Sequence, residues 1–218
     1  MNNYYHKYES NNYYHIYNHA SGEKNLFNDH LDFIDFMGKF DKYFSNIFDL
    51  FAYCLMPNHF HFLVRVKDEV FIKEKIVKEI DSEAKQKYIS GNDELNALIE
   101  DQYRRFFSSS SIKYNKKYKT TGQLFLNRHK RIFLEPDFRL KYILCYIHHN
   151  PIHHKFRKNY GEWTYCSYQK YLESNDSYIA KLNDFGGLDL FLKMHHDFRI
   201  EMKNEILNID TNEYIKDS

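Results

Sequence analysis

Polar and apolar character alternates along residues 12–19: Tyr13, His15 and Tyr17 fall on one side, Tyr14, Ile16 and Asn18 on the other. That is the period of a strand with two different faces. A Ser21-Gly22 turn follows. Over residues 29–44 the period lengthens. Leu31, Ile34, Met37 or Phe36, and Phe40 recur at helical spacing, with Asn28 or Asp29 placed to cap the first turn. Two apolar runs, 48–56 and 59–66, are separated only by Pro57-Asn58, which predicts an antiparallel hairpin. Residues 70–118 read as two helices divided near Ser90-Gly91-Asn92, and Gly122 closes that region. Residues 128–134 read as another strand. Glu135-Pro136-Asp137 then starts a helix over 138–149 that Pro151 stops. One or two helices are expected beyond Trp163, and residues 201–218 form an acidic, frayed end. The order β, α, β, β, α, α, β, α predicts an α+β fold with an antiparallel sheet, not an alternating parallel one.

Composition narrows this picture in two ways. Hydrophobic residues at 43% and charged residues at 28% of 218 positions exclude wholesale disorder, and only 7 Gly and 3 Pro favour long regular elements. Aromatic residues reach 18%, with 20 Tyr and 19 Phe. Such a surplus suits stacking on nucleic-acid bases, although an AT-rich gene would enrich Tyr, Asn, Lys and Ile by itself. No apolar run approaches the roughly 18 residues of a membrane span, and residues 1–8 lack the apolar core of a signal peptide. Cys54, Cys145 and Cys166 show no CxxC pairing and read as reduced core residues. A cytoplasmic protein is expected, nucleoid-associated when on DNA, with no membrane partner.

The formal charge of +1 conceals an uneven distribution. Arg104, Arg105, Lys113, Lys116, Lys117, Lys119, Arg128, Lys130 and Arg131 follow one another without an intervening acid, and Lys155, Arg157 and Lys158 extend the zone. A phosphate-tracking groove needs such a stretch; a solvated helix face is the competing reading.

Two local patterns carry candidate chemistry. In Met56-Pro57-Asn58-His59-Phe60-His61-Phe62-Leu63-Val64, strand alternation puts His59 and His61 on one face and Phe60, Phe62 and Val64 on the other. Two imidazoles so placed can grip one metal ion, or can be two incidental surface histidines. In Tyr142-Ile143-Leu144-Cys145-Tyr146-Ile147-His148-His149-Asn150-Pro151, Tyr146 and Asn150 are four apart and share a helix face. A tyrosine there can attack phosphorus if a cation or base activates its phenol, whose pKa is ordinarily about 10; it can equally be a core residue. The remaining histidines, 148, 149, 153, 154, 195 and 196, match no structural zinc spacing.

Taken together, the Met-Pro-Asn-His-Phe-His-Phe-Leu-Val run and the later Tyr-Ile-His-His-Asn-Pro run resemble the single-tyrosine HUH transposases. The likeness is nearest to the REP-associated tyrosine transposases, relatives of the insertion-sequence-200 type. It extends to His15-Ile16-Tyr17-Asn18 with Leu26-Phe27, to Gly122-Gln123-Leu124-Phe125 with Arg128-His129-Lys130, and to Trp163 with Cys166-Ser167-Tyr168. The resemblance implies a ferredoxin-like α+β fold over residues 1–185, with 186–218 a C-terminal helical extension and acidic tail. It implies that His59, His61 and Asn150 hold Mg²⁺ or Mn²⁺, with His149 a competing third ligand. Tyr146 is the implied nucleophile and Tyr142 the second choice.

The implied activity is cleavage and rejoining of single-stranded DNA that bears a hairpin, through a 5′-phosphotyrosine link. Arg104, Arg105, Lys116, Lys117, Arg128, Lys130 and Arg131 would contact the DNA, and the protein would act as a monomer or homodimer. A domesticated relative that binds hairpins without cutting, and a metal-dependent hydrolase without a covalent link, are the other readings.

Overall fold

The alternation over residues 12–19 becomes strand β1 (Tyr13–His19), and the two runs flanking Pro57-Asn58 become β2 (Phe48–Met56) and β3 (His59–Val66) of one hairpin. A computed structural model of the protein describes residues 5–79, 81–92, 94–126, 128–135, 138–173 and 176–205. The further elements are α1 (His30–Phe44), α2 (Glu69–Ile76) with a 3-10 turn over Val77–Glu79, α3 (Glu83–Ile89), α4 (Leu95–Tyr118), β4 (Lys130–Leu134) and α5 (Phe138–His153). After Trp163 come α6 (Tyr168–Leu172), α7 (Asp176–Asn183) and α8 (Leu188–Glu205). The expected start of α5 at Pro136-Asp137 lies outside the described residues, as do residues 206–218 of the expected acidic end.

The four strands form one antiparallel sheet in the order β2-β3-β1-β4. This is the ferredoxin-like α+β arrangement, with β1 and β3 at the centre. The strand period gives the sheet two unlike faces. Phe60, Phe62, Val64 and Val66 of β3 point to one face with Tyr14 and Ile16, and pack with Phe33, Phe36, Phe40 and Phe44 of α1 and with Leu98, Tyr103 and Phe106 of α4. The other face carries His15, Tyr17, His59, His61 and Leu63 and is covered by α5. There Ile143, Leu144 and Ile147 join Phe191, Phe198 and Met202 of α8 in a second core.

Several elements differ from the expectation for physical reasons. Helix α1 starts where expected: Asp29 caps it in a capping box, accepting from Asp32 N while Asp32 accepts from Asp29 N. Its buried stripe, however, is Phe33, Phe36, Phe40 and Phe44, and Leu31 and Ile34 are exposed. Two stripes at helical spacing competed, and the one with four large rings buries more apolar area. The helical region before Gly122 holds three helices rather than two, because Ser82 supplies a further N-cap for α3. Pro151 does not stop α5, which continues to His153. So close to the end, its missing N–H forfeits a single intrahelical bond. The chain then leaves the helix through Lys155 in a left-handed conformation.

Cys54, Cys145 and Cys166 are all buried and free. No helix among the described residues is long and apolar enough to cross a membrane.

Candidate functional site

Antiparallel pairing of β1 with β3 sets Tyr17 opposite His61 and His19 opposite His59. The alternation within each strand then gathers His15, Tyr17, His19, His59 and His61 on one face of the sheet. His59 and His61 are buried, at 2% and 1% exposure, with ring centroids 5.2 Å apart. Helix α5 lies across them. The Tyr146 ring meets His61 edge-on at 5.6 Å and His15 at 6.1 Å, and one turn later Asn150 brings its Oδ1 to 3.3 Å from His59 Nε2. Asn150 Nδ2 donates to the Tyr146 carbonyl at 3.1 Å, which fixes the amide with its oxygen toward the histidines. Asn150 therefore stays helical and aimed inward although proline follows it.

Helix α5 is itself pinned from behind. His195 of α8 donates Nδ1–H to the Phe191 carbonyl at 2.7 Å, so its Nε2 accepts from His148 Nδ1 at 2.8 Å. His148 Nε2 in turn accepts from Ser167 Oγ at 2.8 Å. Each ring nitrogen in this buried chain thus has a defined role. The face of α5 bearing His148 is locked to α8 and Ser167, while the face bearing Tyr146 and Asn150 looks at the sheet.

Burial dominates the electrostatics. It pulls His59 and His15 down to about 3, His59 being lowered further by its histidine neighbours, and holds His61 well below its ordinary value. All three are neutral imidazoles at pH 7, the form that ligates metal. His59 Nδ1 lies 2.8 Å from Asn58 Oδ1 and its Nε2 3.3 Å from Asn150 Oδ1. With the single proton of the neutral ring on Nδ1, bonded to Asn58, the Nε2 lone pair would face Asn150 Oδ1. Those two acceptors are spaced as neighbouring ligands of one small cation would be, at about 3 Å. His61 Nε2 is buried with no hydrogen-bond partner. Two imidazole nitrogens and an amide oxygen fit a divalent cation that keeps open positions. No group of three His, Cys, Asp or Glu side chains among the described residues could hold one, so Asn150 is needed to complete a three-ligand set.

Of the other expected site residues, two point elsewhere. Tyr142, one turn before Tyr146 along the same stripe of α5, packs its ring against Phe198 of α8 at 5.1 Å. His149 bonds Tyr160 Oη at 2.9 Å and also faces Phe198, because a step of three residues turns the helix the opposite way from a step of four.

The basic stretch is acid-free in sequence but not in space. Helix α4 packs on the phenylalanine face, so Arg104, Arg105, Lys116 and Lys117 lie on the side of the sheet opposite the histidines. Arg104 pairs with Asp101 at 2.5 Å, Arg105 with both oxygens of Asp81 at 2.9 and 3.1 Å, and Lys117 with Asp29 and Asp32 at 2.7 and 2.6 Å. Lys116 is exposed. Arg128 lies over the Tyr5 ring at 4.2 Å and 3.8 Å from Glu100.

Arg131 is a correction. Its side chain is 2% exposed and ion-pairs with Glu100 at 2.5 Å, because its place in β4 turns it into the phenylalanine face. It holds the fold and does not reach solvent. Among these seven cations Lys130 alone is on the histidine face: it is opposite Tyr17 in the sheet and lies over that ring at 5.5 Å.

The sequence reading missed His15, whose Nε2 is 3.0 Å from His61 Nδ1, and His19 and His154, whose rings lie 4.9 Å from that of His59. The alternation over residues 12–19 was the available signal, but the strand register that brings it to His59 and His61 was not.

No protein-family model matches the sequence, and no curated protein does. Among solved structures, the chain is similar in fold to a REP-associated tyrosine transposase bound to a REP hairpin. The TM-score is 0.55 at 12% identity, over 80% of this chain and 87% of that one.

Proposed function

We propose that the protein is a single-stranded DNA endonuclease and strand transferase that cuts through a covalent link to Tyr146. The observation that carries this reading is the convergence of His59, His61 and Asn150 beside the Tyr146 ring, on a fold shared with a hairpin-bound tyrosine transposase. His59 Nε2, His61 Nε2 and Asn150 Oδ1 would hold Mg²⁺ or Mn²⁺, which when bound polarises the scissile phosphate and offsets its growing charge. Tyr146 Oη attacks phosphorus and loses its proton as the new P–O bond forms. The bond to the 3′-oxygen breaks, and that oxygen takes up a proton in place of the one the phenol gave to solvent, leaving as a 3′-hydroxyl. The product is a 5′-phosphotyrosine that conserves the phosphodiester linkage, so a second 3′-hydroxyl can reverse the attack and join strands without ATP.

Helix α5 keeps nucleophile and amide ligand one turn apart, and the His148–His195–Ser167 chain holds that helix in place. Lys130 stands on the same face to meet a phosphate. Lys155, Arg157 and Lys158, directly after α5, add positive charge next to the helix end that carries Asn150. The DNA is expected to carry a hairpin, as does the ligand of the structural relative.

The test is an adduct assay with Mn²⁺ and labelled single-stranded oligonucleotides drawn from hairpin repeats flanking the gene. A labelled band at protein mass on a denaturing gel, lost with EDTA and in Tyr146→Phe, is the expected result. Tight hairpin binding without any adduct would establish a binder instead. Cleavage without an adduct would make an activated water the nucleophile.

A further inference from the structure

The buried imidazole of His15 has no part in the cleavage chemistry above, yet it sits within hydrogen-bond distance of His61 Nδ1. The rings are nearly parallel, 21° apart, with His15 Nε2 3.0 Å from His61 Nδ1. His15 is 2% exposed, so water does not substitute for this contact. Only one proton can lie between the two nitrogens. If it sits on His61 Nδ1, the His61 Nε2 lone pair is free for a cation; if it sits on His15, His61 Nε2 carries a proton and cannot ligate. His61 Nε2 and His15 Nδ1 are both buried without a hydrogen-bond partner, so each arrangement leaves one nitrogen at either end unbonded; a cation at His61 Nε2 is satisfied only in the first. His59 shows the same design, with Nδ1 on Asn58 Oδ1 and Nε2 toward Asn150.

We propose that His15 is the positioning residue of the metal site, accepting the Nδ1–H of His61 and so holding it in the ligating tautomer. The inference rests on the proposed metal site and extends it to a residue that does not touch the metal. Outer partners of a ligating histidine fix its tautomer and ring orientation, and losing one typically lowers metal affinity about 10–100-fold. The acceptor here is a neutral imidazole where a carboxylate could stand. It orients His61 without adding negative charge beside the phosphate that must enter.

Two measurements decide it. Long-range ¹H–¹⁵N spectra of the histidine rings in the metal-free wild-type protein should show His61 protonated on Nδ1; protonation on Nε2 would overturn the inference without any variant. Mn²⁺ titration, followed calorimetrically, should show His15→Leu binding about 10–100-fold more weakly, and His15→Gln, whose Oε1 can accept the same proton, within about threefold of wild type. His15→Leu binding as tightly as wild type, or Gln failing as badly as Leu, would each refute the tautomer role while leaving the site itself standing. Wild-type protein that neither binds Mn²⁺ nor forms the adduct would instead remove the metal-site reading on which the inference rests.

Discussion

Acidification should unfold this protein earlier than its carboxylates would dictate, and His129 and His195 supply a measurable part of the reason. Both lie away from the candidate site. His129 stacks on Tyr103 at 4.1 Å and contacts Tyr8 Oη at 3.2 Å; His195 is buried against His148 and Phe191. Burial lowers His129 to about 3, helped by Arg131 and Arg128, and lowers His195 to about 4. In the unfolded chain each returns to its ordinary value near 6.5. Each therefore takes up its proton only on unfolding. Stability is full above about pH 6.5 and is lost as pH falls toward the folded values.

At about pH 5 the loss is about 2 kcal/mol per residue, hence about 4 kcal/mol for the pair, a large share of a typical total of about 5–15 kcal/mol. Urea unfolding followed by Trp163 fluorescence and far-ultraviolet circular dichroism should show the midpoint falling by at least about 1.5 M between about pH 7.5 and pH 5. His129→Gln should reduce proton uptake on unfolding at about pH 5 by about one. Asp81, held down at about 2 mainly by its bonds to Arg105, loses its contribution only below this window and does not confuse the result. A His129→Gln protein whose stability falls as steeply with pH as the wild type's would refute the reasoning.

Lys130 and Arg131 are neighbours with opposite expected phenotypes. Lys130→Ala should weaken hairpin-DNA binding and reduce its log–log salt slope by about 1, read by fluorescence anisotropy across salt concentrations. Arg131→Leu should leave that slope unchanged and lower unfolding stability by about 3 kcal/mol, since Glu100 loses a buried partner. Asp29→Ala removes the α1 cap and one carboxylate of the Lys117 pair, and should lower the thermal and chemical denaturation midpoints with no change in Mn²⁺ affinity.

What could be read in advance follows from which interactions are local. Strand period placed His59 and His61 on a common face and the phenylalanines on the other, because alternation is a property of each strand alone. Helical period likewise put Tyr146 and Asn150 together. The buried stripe of α1 was misassigned because choosing between two stripes depends on the sheet it meets. The acid partners of Arg105 and Lys117 come from residues distant in sequence, so an acid-free segment overstated the open positive charge. His15 escaped notice for the same reason: only the pairing of β1 with β3 brings it to His61.

That pairing has a consequence for how the site comes into being. Between β1 and β3 the chain builds α1 and β2, so the two histidine-bearing strands meet by a long-range contact. A slip of one residue in either strand would swing its imidazoles into the phenylalanine core and its phenylalanines out under α5. A partly formed or misregistered sheet therefore holds no version of the site. If the proposed site binds its cation, the affinity for it would report strand register, distinguishing a correctly zipped sheet from a collapsed chain of similar helix and strand content.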